Sequence, residues 1–197
     1  MRKAWLAGLA AMLAPAVALA APAAGRYENG LMLGVAPNGV VTGYFQMSQD
    51  GPPQITCAFY LKGKLNGDSA RIDTYYPDDP KGDLIKGTLS APDRTVTTIT
   101  LPTDHGGCGN VWSFADKDNP ASFDLNGPAN WIAVRVVKAR RAYLYKAAGA
   151  AGHGAAYVVQ GDGVGVLGVQ GAWVWIEFEG PSKVTLGWVK ASDLYPA

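Results

Sequence analysis

Cysteine and histidine are scarce, with two of each in 197 residues. Cys57, Cys108, His105 and His153 show no paired ligand spacing, which excludes a zinc site of the usual kind. Charge is also sparse, at 17% of residues with a formal net charge of +1. A nearly neutral chain has no overall electrostatic pull toward nucleic acid or an anionic membrane surface. No G-x-S-x-G element occurs, and the serines stand in no nucleophile motif. Acid pairs in an apolar context, as glycoside hydrolysis requires, are not evident either. A sustained 3.6-residue apolar period is missing outside the N-terminus, as is any internal repeat.

The single long apolar run is Ala4 to Leu19, which follows Arg2 and Lys3 and is interrupted by Pro15. Ala18-Leu19-Ala20 offers the small-x-small pattern of signal peptidase sites, so residues 1–20 read as a cleavable secretory signal. The run is short for a membrane span and ends in small residues. Cleavage is expected before Ala21, with Ala24 as second choice, and no cysteine lies near the cut for a lipid anchor. Without Arg2 and Lys3 the basic side chains fall just below the 16 acidic ones. Periplasmic or secreted localisation follows as an expectation, with no membrane insertion after cleavage.

Export bears on the cysteines. Two cysteines in an oxidising compartment most often form one structural bridge. A Cys57–Cys108 bond would close a long loop, worth about 4 kcal/mol in the chain-entropy model. It would also consume the thiol that a Cys108–His105 hydrolase needs, with Asp104 as the orienting acid.

What is abundant is Gly, Val, Thr, Tyr and Trp, punctuated by turn residues, and this composition argues for an all-β protein. Candidate strands are Tyr27–Val35, Val40–Met47, Ile55–Leu61, Ala70–Tyr75, Leu84–Leu89, Val96–Leu101 and a short one at Phe123–Leu125. Asn38-Gly39 marks the first hairpin. Cys57 and Phe59 share one face of their strand, Ala58 and Tyr60 the other. Such short strands at regular spacing predict a small antiparallel barrel or sandwich over residues 21–130, with a break near Asn126-Gly127-Pro128. Asp78, Asp79 and Asp83 lack calcium-loop spacing and read as turn formers.

Residues 131–197 form a second unit. Ala142-Tyr143-Leu144-Tyr145, Ala156-Tyr157-Val158-Val159, Gly161-Asp162, Gly171-Ala172-Trp173 with Ile176, and the closing Gly187-Trp188-Val189 together resemble a bacterial SH3-like (SH3b) domain. The resemblance implies a small SH3-like β-barrel in an exported protein that binds cell-wall peptides or other proteins without catalysis. Within it, Gly163 to Gly168 spells GxGxxG, but the following Gln170–Trp175 alternates like a strand, so no cofactor is expected. Trp173, Trp175 and Glu177 share one strand face, and Val174, Ile176 and Phe178 the other. The aliphatic face suits the core. Trp173 and Trp175 then join Tyr143, Tyr145 and Trp188 either as a groove for peptide or glycan or as seals of the barrel ends. Arg135, Lys138, Arg140 and Arg141 read as a solvated strand edge.

The stretch Thr103-Asp104-His105-Gly106-Gly107-Cys108-Gly109-Asn110 is similar to the short His-and-Cys loop of a class of vertebrate-lysozyme inhibitors, although Cys57 lies far from it here. It suggests a disulfide-held loop with His105 as a contact residue at its tip. The expected role is thus non-catalytic recognition of a cell-wall peptide or envelope protein through the aromatic residues. Alternatives are an inhibitor or immunity protein that blocks a wall-degrading enzyme through His105, and a cryptic hydrolase.

Overall fold

The computed structural model describes residues 21–180 and 182–196, so the expected leader at residues 1–20 lies outside the described residues. Strands β1 (Gly25–Tyr27), β2 (Leu31–Val35), β3 (Val40–Gln49), β4 (Ile55–Asn66), β5 (Ser69–Tyr75), β6 (Ile85–Ser90), β7 (Val96–Thr100) and β8 (Ala121–Pro128) pair in sequence order. Every pairing is antiparallel, and β8 returns to β1 to close an eight-stranded barrel. The first candidate strand is in fact two. Asn29 and Gly30 have φ of 57° and 83°, a left-handed pair that breaks Tyr27–Val35 into β1 and β2.

The barrel interior is a packed core of buried side chains. Leu31, Leu33, Leu61, Ile72, Leu89 and Ile99 are fully buried around a knot of Phe45, Phe59, Phe114 and Phe123. Phe114 meets Phe45 and Phe59 edge-on at 5.0 and 4.9 Å between ring centres. A one-turn helix α1 (Cys108–Val111) lies against β4, joined to it by the Cys57–Cys108 disulfide.

Strand β3 departs from simple alternation. Val41 through Phe45 are all buried, because the outer face of β3 is covered as well as the inner one. The cover is β9 (Ala133–Val136), the first strand of the C-terminal unit. Val134 and Val136 pack on Tyr44 and Tyr60 of the barrel's outer wall. The Tyr60 hydroxyl donates to the Val134 carbonyl at 2.8 Å, and the Val134 N–H donates to Thr42 Oγ1 at 2.8 Å. Arg26 pairs with Glu177 and Glu179 across the same junction.

Trp131, 1% exposed, is the largest side chain sealed at this junction, under the Arg26 guanidinium and against Gly165. A Cβ at Gly165 would overlap the indole of Trp131. The C-terminal unit itself has a four-stranded antiparallel sheet in the order β14 (Val184–Lys190), β13 (Trp173–Glu179), β12 (Gly163–Gln170), β9. A two-stranded ribbon, β10 (Arg141–Tyr143) with β11 (Tyr157–Val159), completes it. Val137, Leu144, Val158, Val164, Val174, Ile176 and Val189 form its core. The GxGxxG stretch lies on β12.

Candidate functional site

Register decides which aromatic residues meet. On β13, Val174 and Ile176 are fully buried, which turns Trp173, Trp175 and Glu177 to the opposite face. On β14, Trp188 stands directly opposite Trp175, and Lys190 opposite Trp173. Their indoles lie 5.4 Å apart. Tyr145 joins this face by exchanging two backbone hydrogen bonds with Trp188, of 2.8 and 2.9 Å. Its ring then stands edge-on to Trp173 at 4.8 Å.

The row continues beyond the five expected residues. His153 stacks on Tyr143 at 3.9 Å and meets Tyr145 at 5.8 Å. Tyr157 adds an edge-on contact to Tyr143 at 5.9 Å and carries the Arg141 guanidinium over its ring at 4.8 Å. Five rings, Tyr157, Tyr143, His153, Tyr145 and Trp173, thus run in one chain of contacts, and the Trp175–Trp188 pair lies beside its Trp173 end, completing a ladder of seven. Tyr143, Tyr145, Trp173, Trp175 and Trp188 are half-buried, while His153 and Tyr157 are exposed. Val184 and Leu186, both about half exposed on β14, extend the apolar surface. Half-burial combines two properties that a binding face needs: each residue is held in place by its neighbours, and each keeps part of its surface in solvent.

Sequence reasoning missed His153 and Tyr157. The loop between β10 and β11, rich in Gly and Ala, has no periodicity to reveal that His153 folds back over Tyr143. The basic group at the junction is also not one solvated edge. Arg135 is half-buried with its Nε donating to the Tyr195 carbonyl at 2.8 Å, and burial lowers its pKa.

His105 requires a correction. It is 2% exposed and packs into the barrel end, not at a loop tip. Its ring stacks on Phe59 at 5.0 Å, Nε2 lies 2.8 Å from Thr74 Oγ1, and Nδ1 lies 3.0 Å from Asp83 Oδ2. A partner protein cannot reach it. The orienting acid is Asp83; Asp104 instead ties its own loop by accepting from the Phe114 N–H at 2.6 Å and the Ser113 hydroxyl at 3.0 Å.

Thr74, His105 and Asp83 have the connectivity of a hydroxyl–imidazole–carboxylate triad. Thr74 is completely buried, however, and its hydroxyl also lies 2.9 Å from the Ile85 carbonyl. No substrate carbonyl fits beside it, so the three residues lock β5, the following loop and the barrel end together. Both cysteines are in the disulfide, and no cluster among the described residues has the makings of a metal site. No protein family model, curated protein or solved structure matches this chain.

Proposed function

We propose that this is an exported, non-catalytic recognition protein of the cell envelope, whose C-terminal unit holds a cell-wall peptide or an envelope protein against the aromatic ladder. The observation that carries this reading is the gathering of seven rings on one partly exposed face, from four separate segments of chain. A core needs its rings buried, and a soluble surface has no need of them at all. Rigid aromatics with flanking polar groups are the commonest anchors of peptide recognition, and they order few torsions on binding. Lys190 and Arg141 at the margins would meet the carboxylates of an acidic wall peptide. The resemblance of residues 141–197 to bacterial SH3-like domains supports the same ligand class, and the N-terminal signal pattern supports the compartment.

Titration with soluble wall-peptide fragments tests the reading through the intrinsic fluorescence of Trp173, Trp175 and Trp188. A saturable change is expected, with Trp175→Ala and Tyr145→Ala each weakening binding about tenfold or more, the range of an anchor residue. A flat fluorescence titration, confirmed by calorimetry, would remove wall peptides as the ligand.

A further inference from the structure

A second surface, on the barrel, concentrates positive charge in a chain that is nearly neutral overall. The outward face of β4–β6 presents Lys62, Lys64, Arg71, Asp73 and Lys86, and Lys117 reaches the same place from the loop before β8. Five cations and one acid thus line a hollow of about 760 Å³. The strand register makes the arrangement regular. Asp73 lies between Lys62 and Lys86 in one cross-strand row, and Lys64 stands directly opposite Arg71 in the next.

Like charges in opposed positions destabilise a sheet. Lys64, Arg71, Lys86 and Lys117 make no ion pair among the described residues that would relieve it. Lysines on strands commonly protect a sheet edge from unwanted pairing. Here that explanation fails for Lys64 and Arg71, whose strands are paired on both sides at these positions within a closed barrel.

The lining selects among anions. The floor consists of Gly63, Ile72, Gly87 and Leu101 with no aromatic ring, so bases of a nucleic acid would find nothing to stack on. A hollow meets a flat membrane surface only at its rim. Asp73, between Lys62 and Lys86 in the register, adds an acceptor for a ligand hydroxyl among the cations. Thr88, opposite Arg71, and Thr100, opposite Thr88, add neutral polar partners to the lining. A sugar chain bearing carboxylates or phosphates has both features, since its acid groups alternate with hydroxyls. We propose that this hollow binds an acidic oligosaccharide, with Lys64, Arg71 and Lys86 on its acid groups and Asp73 on a hydroxyl.

The site is separate from the aromatic ladder, so the two proposals stand or fall independently. Calorimetry with oligogalacturonate, a purely carboxylated glycan, tests it at low ionic strength. Binding is expected to weaken steeply with added salt. The Lys64→Gln/Arg71→Gln variant is expected to lose at least tenfold in affinity while Trp175→Ala keeps it. Lys86→Gln, a single exposed change, is expected to lose severalfold and provides the test if the double variant folds poorly. Absence of binding, equal binding by the variants, equal affinity for neutral dextran, or equal affinity for poly-glutamate would each overturn the assignment.

Discussion

His105 illustrates how a residue's meaning is set by partners far away in sequence. Its ring is held by Phe59 on β4, Thr74 on β5 and Asp83 in the following loop. Nothing in the local stretch Thr103–Asn110 announces these neighbours, so the residue reads as a loop tip until the barrel closes around it. Its role is cohesion, and His105→Ala should destabilise the fold by about 3 kcal/mol, through a buried cavity and two lost polar contacts, without changing ladder binding. Urea denaturation and the fluorescence titration measure the two parts separately. Tyr44 and Tyr60 make a second prediction at this scale. Burial pushes Tyr44 up to about 12, with Asp162 and Asp78 adding to the shift, and burial raises Tyr60 strongly as well. A pKa raised on folding gives stability that is complete below the ordinary value of 10.0 and is lost as pH climbs through the raised one. Alkaline titration followed by circular dichroism should therefore show the fold loosening above about pH 10. Tyr60→Phe should lose about 1 kcal/mol at neutral pH and show a shallower alkaline decline.

Among the elements, the barrel strands were the most legible. Alternation along β4 set Cys57, Phe59 and Leu61 inward, and all three are fully buried. Less legible was the length of β4, which runs to Asn66 because Lys62 and Lys64 are polar on the outer face while β5 continues to pair with them. The split of β1 from β2 rests on the positive φ of Asn29, a conformation that Asn-Gly permits but does not announce. The disulfide ties α1 to β4 across a separation of 51 residues. Its reduction should cost about 4 kcal/mol, read as a drop in the urea midpoint with dithiothreitol. Gly165→Ala should be at least as harmful as an ordinary overpacking change, about 1–3 kcal/mol, because the added methyl and the Trp131 indole claim the same space.

For the whole molecule, composition and turn spacing were enough to read an all-β chain with a small antiparallel barrel or sandwich, and the return of β8 to β1 decides for the barrel. They did not reveal that β9 and Trp131 weld the C-terminal unit to the barrel wall, since the alternation of Val134 and Val136 with Arg135 marks a buried face without showing what covers it. Overall charge was equally blind to the lysine-lined hollow, because acids elsewhere cancel it in the sum. The weld predicts one cooperative unfolding transition for the wild type, and Trp131→Ala should separate it into two in calorimetry. The aromatic ladder is the feature on which the functional account rests. Its most direct test is co-sedimentation of the purified protein with isolated cell-wall sacculi, alongside a folded Tyr145→Ala/Trp175→Ala variant. The account predicts saturable wild-type retention that the variant loses at least tenfold; no retention, or retention equal in both proteins, would contradict it.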